Sequence, residues 1–145
     1  MDKEALERKI QEYKRLKEEV VIETAFPKEI QNVLEREFGK LNTTKVILRK
    51  ERLQHIEERH PEVVEVIKNN FNEIIETPDY ILKDEKNENT ILLIRELENK
   101  AYNTVIKISV KENTELKNST LTFYKIRDRE VRRLCNISKV ILTKK

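Results

Sequence analysis

The sequence predicts an α+β domain, with helices first and an antiparallel sheet after them. Up to about Glu76, apolar residues recur at spacings of three and four, the period of an amphipathic helix. Beyond Thr77-Pro78-Asp79 they fall into short segments rich in β-branched residues, divided by polar turns. No internal repeat or low-complexity linker interrupts the 145 residues, a length that suits one ordinary domain. Such a pattern suggests helices packed on one face of a sheet of four strands or slightly more.

In order, residues 2 to 25 carry Leu6, Ile10, Tyr13, Leu16 and Val20 at helical spacing among Glu and Lys positions suited to i,i+4 pairing, so one narrow amphipathic helix is expected there. A second helix is expected from Pro27, tolerated in a first turn, to Phe38, with Gly39, the single glycine, as its stop. Residues 1–40 would thus be a helical arm and residues 41–145 the α+β domain proper. The β-branched run Thr43 to Leu48 reads as a short strand, and Lys50 to Arg59 as a helix. Pro61 disfavours helical geometry at His60, so a break falls there before a helix carrying Val63, Val64, Ile67, Phe71, Ile74 and Ile75. Tyr80 to Lys83, Thr90 to Leu97, Tyr102 to Val110 and Ser119 to Ile126 read as a meander of strands joined by KDEKNEN, ENK and KENTELKN. Asp128 to Leu134 reads as a short basic helix and Lys139 to Leu142 as a last strand.

Charge is unevenly distributed. Residues 101–145 hold 11 of the 30 Lys and Arg but 4 of the 27 Asp and Glu, so a basic back follows an acidic front, and a basic surface attracts phosphates. One cysteine, Cys135, allows no intrachain disulfide and suits a reducing compartment as a packed thiol. No apolar run approaches the roughly 18 residues that span a bilayer and no secretory signal is visible, so a cytoplasmic protein without a membrane partner is expected. A single glycine leaves no material for a P-loop or a dinucleotide fingerprint, and no cofactor is expected.

The chemistry concentrates in His55 and His60, the two histidines, five residues apart. Their side-chain type alone titrates near neutrality unaided, which makes them the candidates for a general acid and base. Zinc is the competing use, but a helical zinc pair needs spacing four and further ligands, so no metal site is expected. In STLTFYKIR, strict alternation would put Thr120, Thr122, Tyr124 and Ile126 on one face, a row of hydroxyls able to bind phosphate oxygens. Arg95, Lys107, Lys125, Arg127, Arg132 and Arg133 are the cations that could join them.

The motifs H-I-x-x-R-H-P-E at His55 to Glu62, P-D-Y at Pro78 to Tyr80, a meander, T-x-Y at Thr122 to Tyr124 and a basic helix come in an order that resembles the phage-type Barnase-EndoU-colicin-RelE-like nucleases. The resemblance covers about Lys50 to the C-terminus. It implies a helical part followed by a four-stranded antiparallel sheet, RelE- or barnase-like, and RNA cleavage without a metal. It also implies His55, His60, Thr122 and Tyr124 as catalytic residues, with Arg95, Lys107 and Lys125 as weaker matches for substrate binding. The 2′-OH would attack the adjacent phosphorus, with His taking its proton and His or Tyr protonating the leaving oxygen. RNA is then the partner, an antitoxin or immunity protein a second, and self-association through residues 2–25 a third. The alternative is a non-catalytic RNA- or partner-binding module of the same fold.

Overall fold

In the computed structural model, which describes residues 2–111 and 116–144 and leaves the side chains of 16 and 17 aside, five helices accompany one sheet of seven strands. The elements are α1 (Lys3–Glu18), β1 (Val20–Ala25), α2 (Lys28–Phe38), β2 (Lys45–Arg49), α3 (Lys50–Arg59), a 3₁₀ turn (Pro61–Val63), α4 (Val64–Glu76), β3 (Tyr80–Lys83), β4 (Thr90–Leu97), β5 (Lys100–Lys107), β6 (Asn118–Ile126), α5 (Asp128–Ile137) and β7 (Val140–Thr143). The strand order is β1-β2-β6-β5-β4-β3-β7. All neighbours are antiparallel except β2 and β6, which run parallel and pair at Val46 with Asn118 and Ile47 with Ser119. Beyond that short pairing, α3 and the 3₁₀ turn lie against β6.

Three expectations are corrected. The helix expected over residues 2–25 ends at Glu18, and Val20–Ala25 is a strand whose Ile22 sits opposite Leu48 and whose Thr24 sits opposite Val46. The run Val20-Val21-Ile22 is β-branched throughout, and a waiting edge on β2 decides what local period leaves open. The sheet has seven strands instead of about four, because β1 and β2 extend one side and β7 the other. Helices also cover both faces. Phe26, Ile30, Leu34, Ile67, Phe71, Ile74, Tyr102, Ile106 and Phe123 belong to the main core, whereas Leu82, Leu92, Ile94, Ala101 and Ile126 form a second cluster against Val131, Leu134 and Cys135 of α5. Adjacent residues such as Ile81 and Leu82, or Leu93 and Ile94, go to different clusters, as the period of two requires.

Local signals act where expected. Pro27 precedes α2 and Gly39 ends it at φ 93°, a conformation that glycine adopts without steric cost. Glu98 and Asn99, at φ 50° and 66°, make the two-residue turn that joins Leu97 to its partner Lys100. The strand expected over Tyr102 to Val110 stops at Lys107, and Val110 makes an isolated bridge to Leu41. The KENTELKN connection lies partly outside the described residues. Two polar ties hold distant parts together. Buried Asn118 accepts from the Ser109 N–H (2.8 Å) and donates to the Thr43 and Lys45 carbonyls (3.0 and 2.8 Å). Glu37 meets Lys83 at 3.3 Å and Lys139 at 2.6 Å, with Lys83 5.6 Å above the Phe38 ring. The Lys139 hydrogen bond, and after it that of Lys83, holds the Glu37 carboxyl below its ordinary value against the opposing effect of burial.

α1 precedes the sheet and contacts α3, leaving Leu6, Ile10 and Tyr13 exposed. Among the described residues, no helix is long and apolar enough to cross a membrane.

Candidate active site

His60 is placed by a helix end that its own neighbour enforces. The Pro61 ring crowds the residue before it out of helical geometry, and His60 takes φ −140° and ψ 62° while its N–H still donates to the Ile56 carbonyl at 2.7 Å. Ile56, one turn earlier, is buried in the main core and anchors the helix face on which His60 stands. From there the imidazole stacks on the Tyr124 ring, with centroids 5.7 Å apart and planes inclined by 30°.

Tyr124 is fixed from the strand beside it. Asn103 on β5 is its cross-strand partner, and the Asn103 Nδ2–H donates to the Tyr124 phenol oxygen at 2.9 Å. Asn103 is 0% exposed, and its Oδ1 has no hydrogen-bond partner among the described residues. On α5, exposed Arg133 pairs with Glu130, Nε to Oε2 at 3.0 Å, and that hydrogen bond holds its guanidinium above its ordinary value. The site therefore draws on α3, β5 and β6, and α5 covers the cluster on which Tyr124 packs.

His55 stands elsewhere on the same helix. It precedes buried Ile56 by one position, about 100° around the axis, so its side chain is half exposed and its Nδ1 lies 3.8 Å from the Glu58 carboxylate. The contact with Tyr124 is made by His60. The hydroxyl row is corrected too. Thr120 faces Ile106 and Thr122 faces Val105, so Leu121 is an extra residue in β6 and the alternation slips by one between the two threonines. Ile106 belongs to the main core, whereas Val105 packs on the second cluster. Thr122 stays with Tyr124 and Ile126, and Thr120 turns to the main core, where its hydroxyl has no partner among the described residues.

The cations are scattered. Arg95 points to the α4 side, bonded to Glu73 and 3.7 Å from Asp79, and is 21% exposed in its side chain. Lys125 is exposed opposite Tyr102, on the face away from Tyr124. Lys107 is exposed at the end of β5, opposite Ser119, while Arg127 and Arg132 are exposed on or beside α5. Arg132 lines a shallow cavity with Asp79, Tyr80 and Asp128. Among the described residues, no three His, Cys, Asp or Glu side chains gather as a metal site would need.

Asn103 is the residue that sequence reasoning missed. Its signal was present, since asparagine is disfavoured inside strands and Ala101-Tyr102-Asn103-Thr104-Val105-Ile106 is otherwise a buried-strand sequence. No curated protein and no solved structure matches the chain. A protein-family comparison does, over residues 19–133, starting at β1 and thus well before Lys50, where the motif order begins; α1 lies outside it. On that match the chain belongs to the phage-Barnase-EndoU-ColicinE5/D-RelE like nuclease family.

Proposed function

We propose that this nuclease is an endoribonuclease that cleaves RNA with its own side chains, the 2′-OH attacking the adjacent phosphorus while His60 and Tyr124 divide the two proton transfers. The observation that carries the reading is the His60–Tyr124 stack at 5.7 Å, made by side chains 64 residues apart in sequence. A titratable ring and a hydroxyl side by side on a partly open surface match the need for one group to remove a proton and another to supply one. Arg133, on the helix that packs over the same cluster as Tyr124, is the cation proposed for a phosphorane whose charge grows in the transition state, and it would leave Glu130 to serve. RNA is favoured over DNA because the nucleophile is the 2′-OH itself. Arg127 and Arg132, exposed on or beside α5, are the cations proposed for flanking phosphates.

His55 has a lesser part in this proposal. Its exposure and its Glu58 partner suit a contact with the substrate backbone better than a proton transfer at the phosphorus. Purified protein incubated with mixed RNA in excess EDTA tests the reading. Products ending in 2′,3′-cyclic phosphate are expected, with 5′-hydroxyl ends on the other fragments. RNA bound but left whole selects the binding-module alternative, and cleavage that EDTA abolishes removes the metal-free chemistry.

A further inference from the structure

We infer that Asn103 is a positioning residue that aims the Tyr124 O–H at the departing 5′-oxygen, which assigns Tyr124 as the general acid and leaves the 2′ proton to His60. This rests on the ribonuclease reading and adds a direction to it. The first support is hydrogen-bond inventory. An amide Nδ2 can only donate, so in the bond at 2.9 Å the phenol oxygen is the acceptor and its single proton stays free to be given elsewhere. A carbonyl or carboxylate partner would have consumed that proton.

The second support is burial. Asn103 is 0% exposed in mid-strand, and its Oδ1 goes unpartnered among the described residues. A Val or Leu there would pack without that penalty, so the position is poor for stability and its one side-chain bond points at Tyr124. The third is the product of the transfer. Once Tyr124 has given up its proton, the Nδ2–H faces a phenolate, and a hydrogen bond to the charged form stabilises it.

His60 takes the proton of the 2′-OH as the O2′–P bond forms. The P–O5′ bond breaks with its electron pair on O5′, which takes the phenol proton. The products are a 2′,3′-cyclic phosphate and a 5′-hydroxyl, with no water consumed. The imidazolium and phenolate left behind are neutralised by proton transfer between them or through solvent.

A general-acid defect matters only when the leaving group needs a proton, so two substrates separate this role from a structural one. They are uridylyl-3′,5′-adenosine and uridine 3′-(4-nitrophenyl phosphate), whose leaving group departs unprotonated. Asn103→Leu and Tyr124→Phe should each lower kcat on the dinucleotide about 10- to 100-fold with little change in KM, yet keep most of the activity on the nitrophenyl ester. The double variant should lose no more than Tyr124→Phe alone. Asn103→Asp, of the same size but accepting where Asn donates, should show the same contrast, and it carries the test if the leucine variant does not fold. Equal losses on both substrates, or no loss on the dinucleotide, would overturn the role of Asn103 while leaving the ribonuclease reading intact. A wild-type protein inactive on both would overturn the two together.

Discussion

Replacing Asn118 with alanine should remove a large part of the protein's stability. Asn118 is fully buried at the first pairing position of β6 against β2, and its side chain closes three hydrogen bonds to backbone groups of two other segments. Truncation leaves the Ser109 N–H and the Thr43 and Lys45 carbonyls without that partner. An unsatisfied buried group costs about 1–3 kcal/mol, and since Thr43 and Lys45 are themselves only partly buried or exposed, the expected total is about 3–5 kcal/mol. Against a typical stability of about 5–15 kcal/mol that leaves a marginal fold. Urea unfolding followed by circular dichroism should show a lower midpoint with an unchanged slope, the sign that stability and not compactness has altered. Asn118→Asp should fare no better at neutral pH, because it sets a carboxylate against two carbonyl oxygens. A loss below about 1 kcal/mol for the alanine variant would refute the reasoning and show that the β2–β6 junction is held by something else.

His60→Ala should lower cleavage about 10²- to 10⁴-fold while His55→Ala lowers it less than about tenfold, as measured by single-turnover cleavage; equal losses would restore the histidine pair. Arg95→Leu should destabilise the fold by breaking its links to Glu73 and Asp79 and leave RNA affinity within about twofold at matched salt, since its charge is already engaged by carboxylates. Glu37→Gln should cost on the order of 1 kcal/mol above pH 5. Because the folded carboxyl lies below its ordinary value of 4.5, that contribution is complete above the unfolded value and fades as pH falls through the lower folded one, so wild type and variant should converge in acid.

Helices such as Lys50–Arg59 and strands such as Thr90–Leu97 were legible because one period, bounded by Pro, Gly or polar turns, dominates each of them. Val20–Ala25 was not, since three consecutive β-branched residues fit either element locally and the partner that settles the matter, β2, is a tertiary fact. His60 and Tyr124 were legible as types of chemistry, and Pro61 correctly marked the helix end. What alternation could not reveal is the extra residue at Leu121, which sends Thr120 to the other face while Thr122 stays with Tyr124. The surroundings of Arg95 were not legible for a related reason: the carboxylates bonded to it come from α4 and from the turn before β3, far off in sequence.

The parallel join of β2 to β6 has a consequence for the order in which the molecule is made. A ribosome completes His60 and the whole of β1 and β2 long before it reaches Asn118. Until β6 has been synthesised, β2 lacks its inner neighbour, the imidazole lacks the ring it stacks on, and the proposed catalytic pair does not exist. Closing that pairing over some 70 residues is also the slow kind of contact, because chain entropy must be lost before any bond repays it. On the proposed ribonuclease reading, the pair stays unassembled while the protein's own message and ribosome are the nearest RNA. A fragment of residues 1–111 should accordingly be inert toward RNA at concentrations where the full chain cuts it.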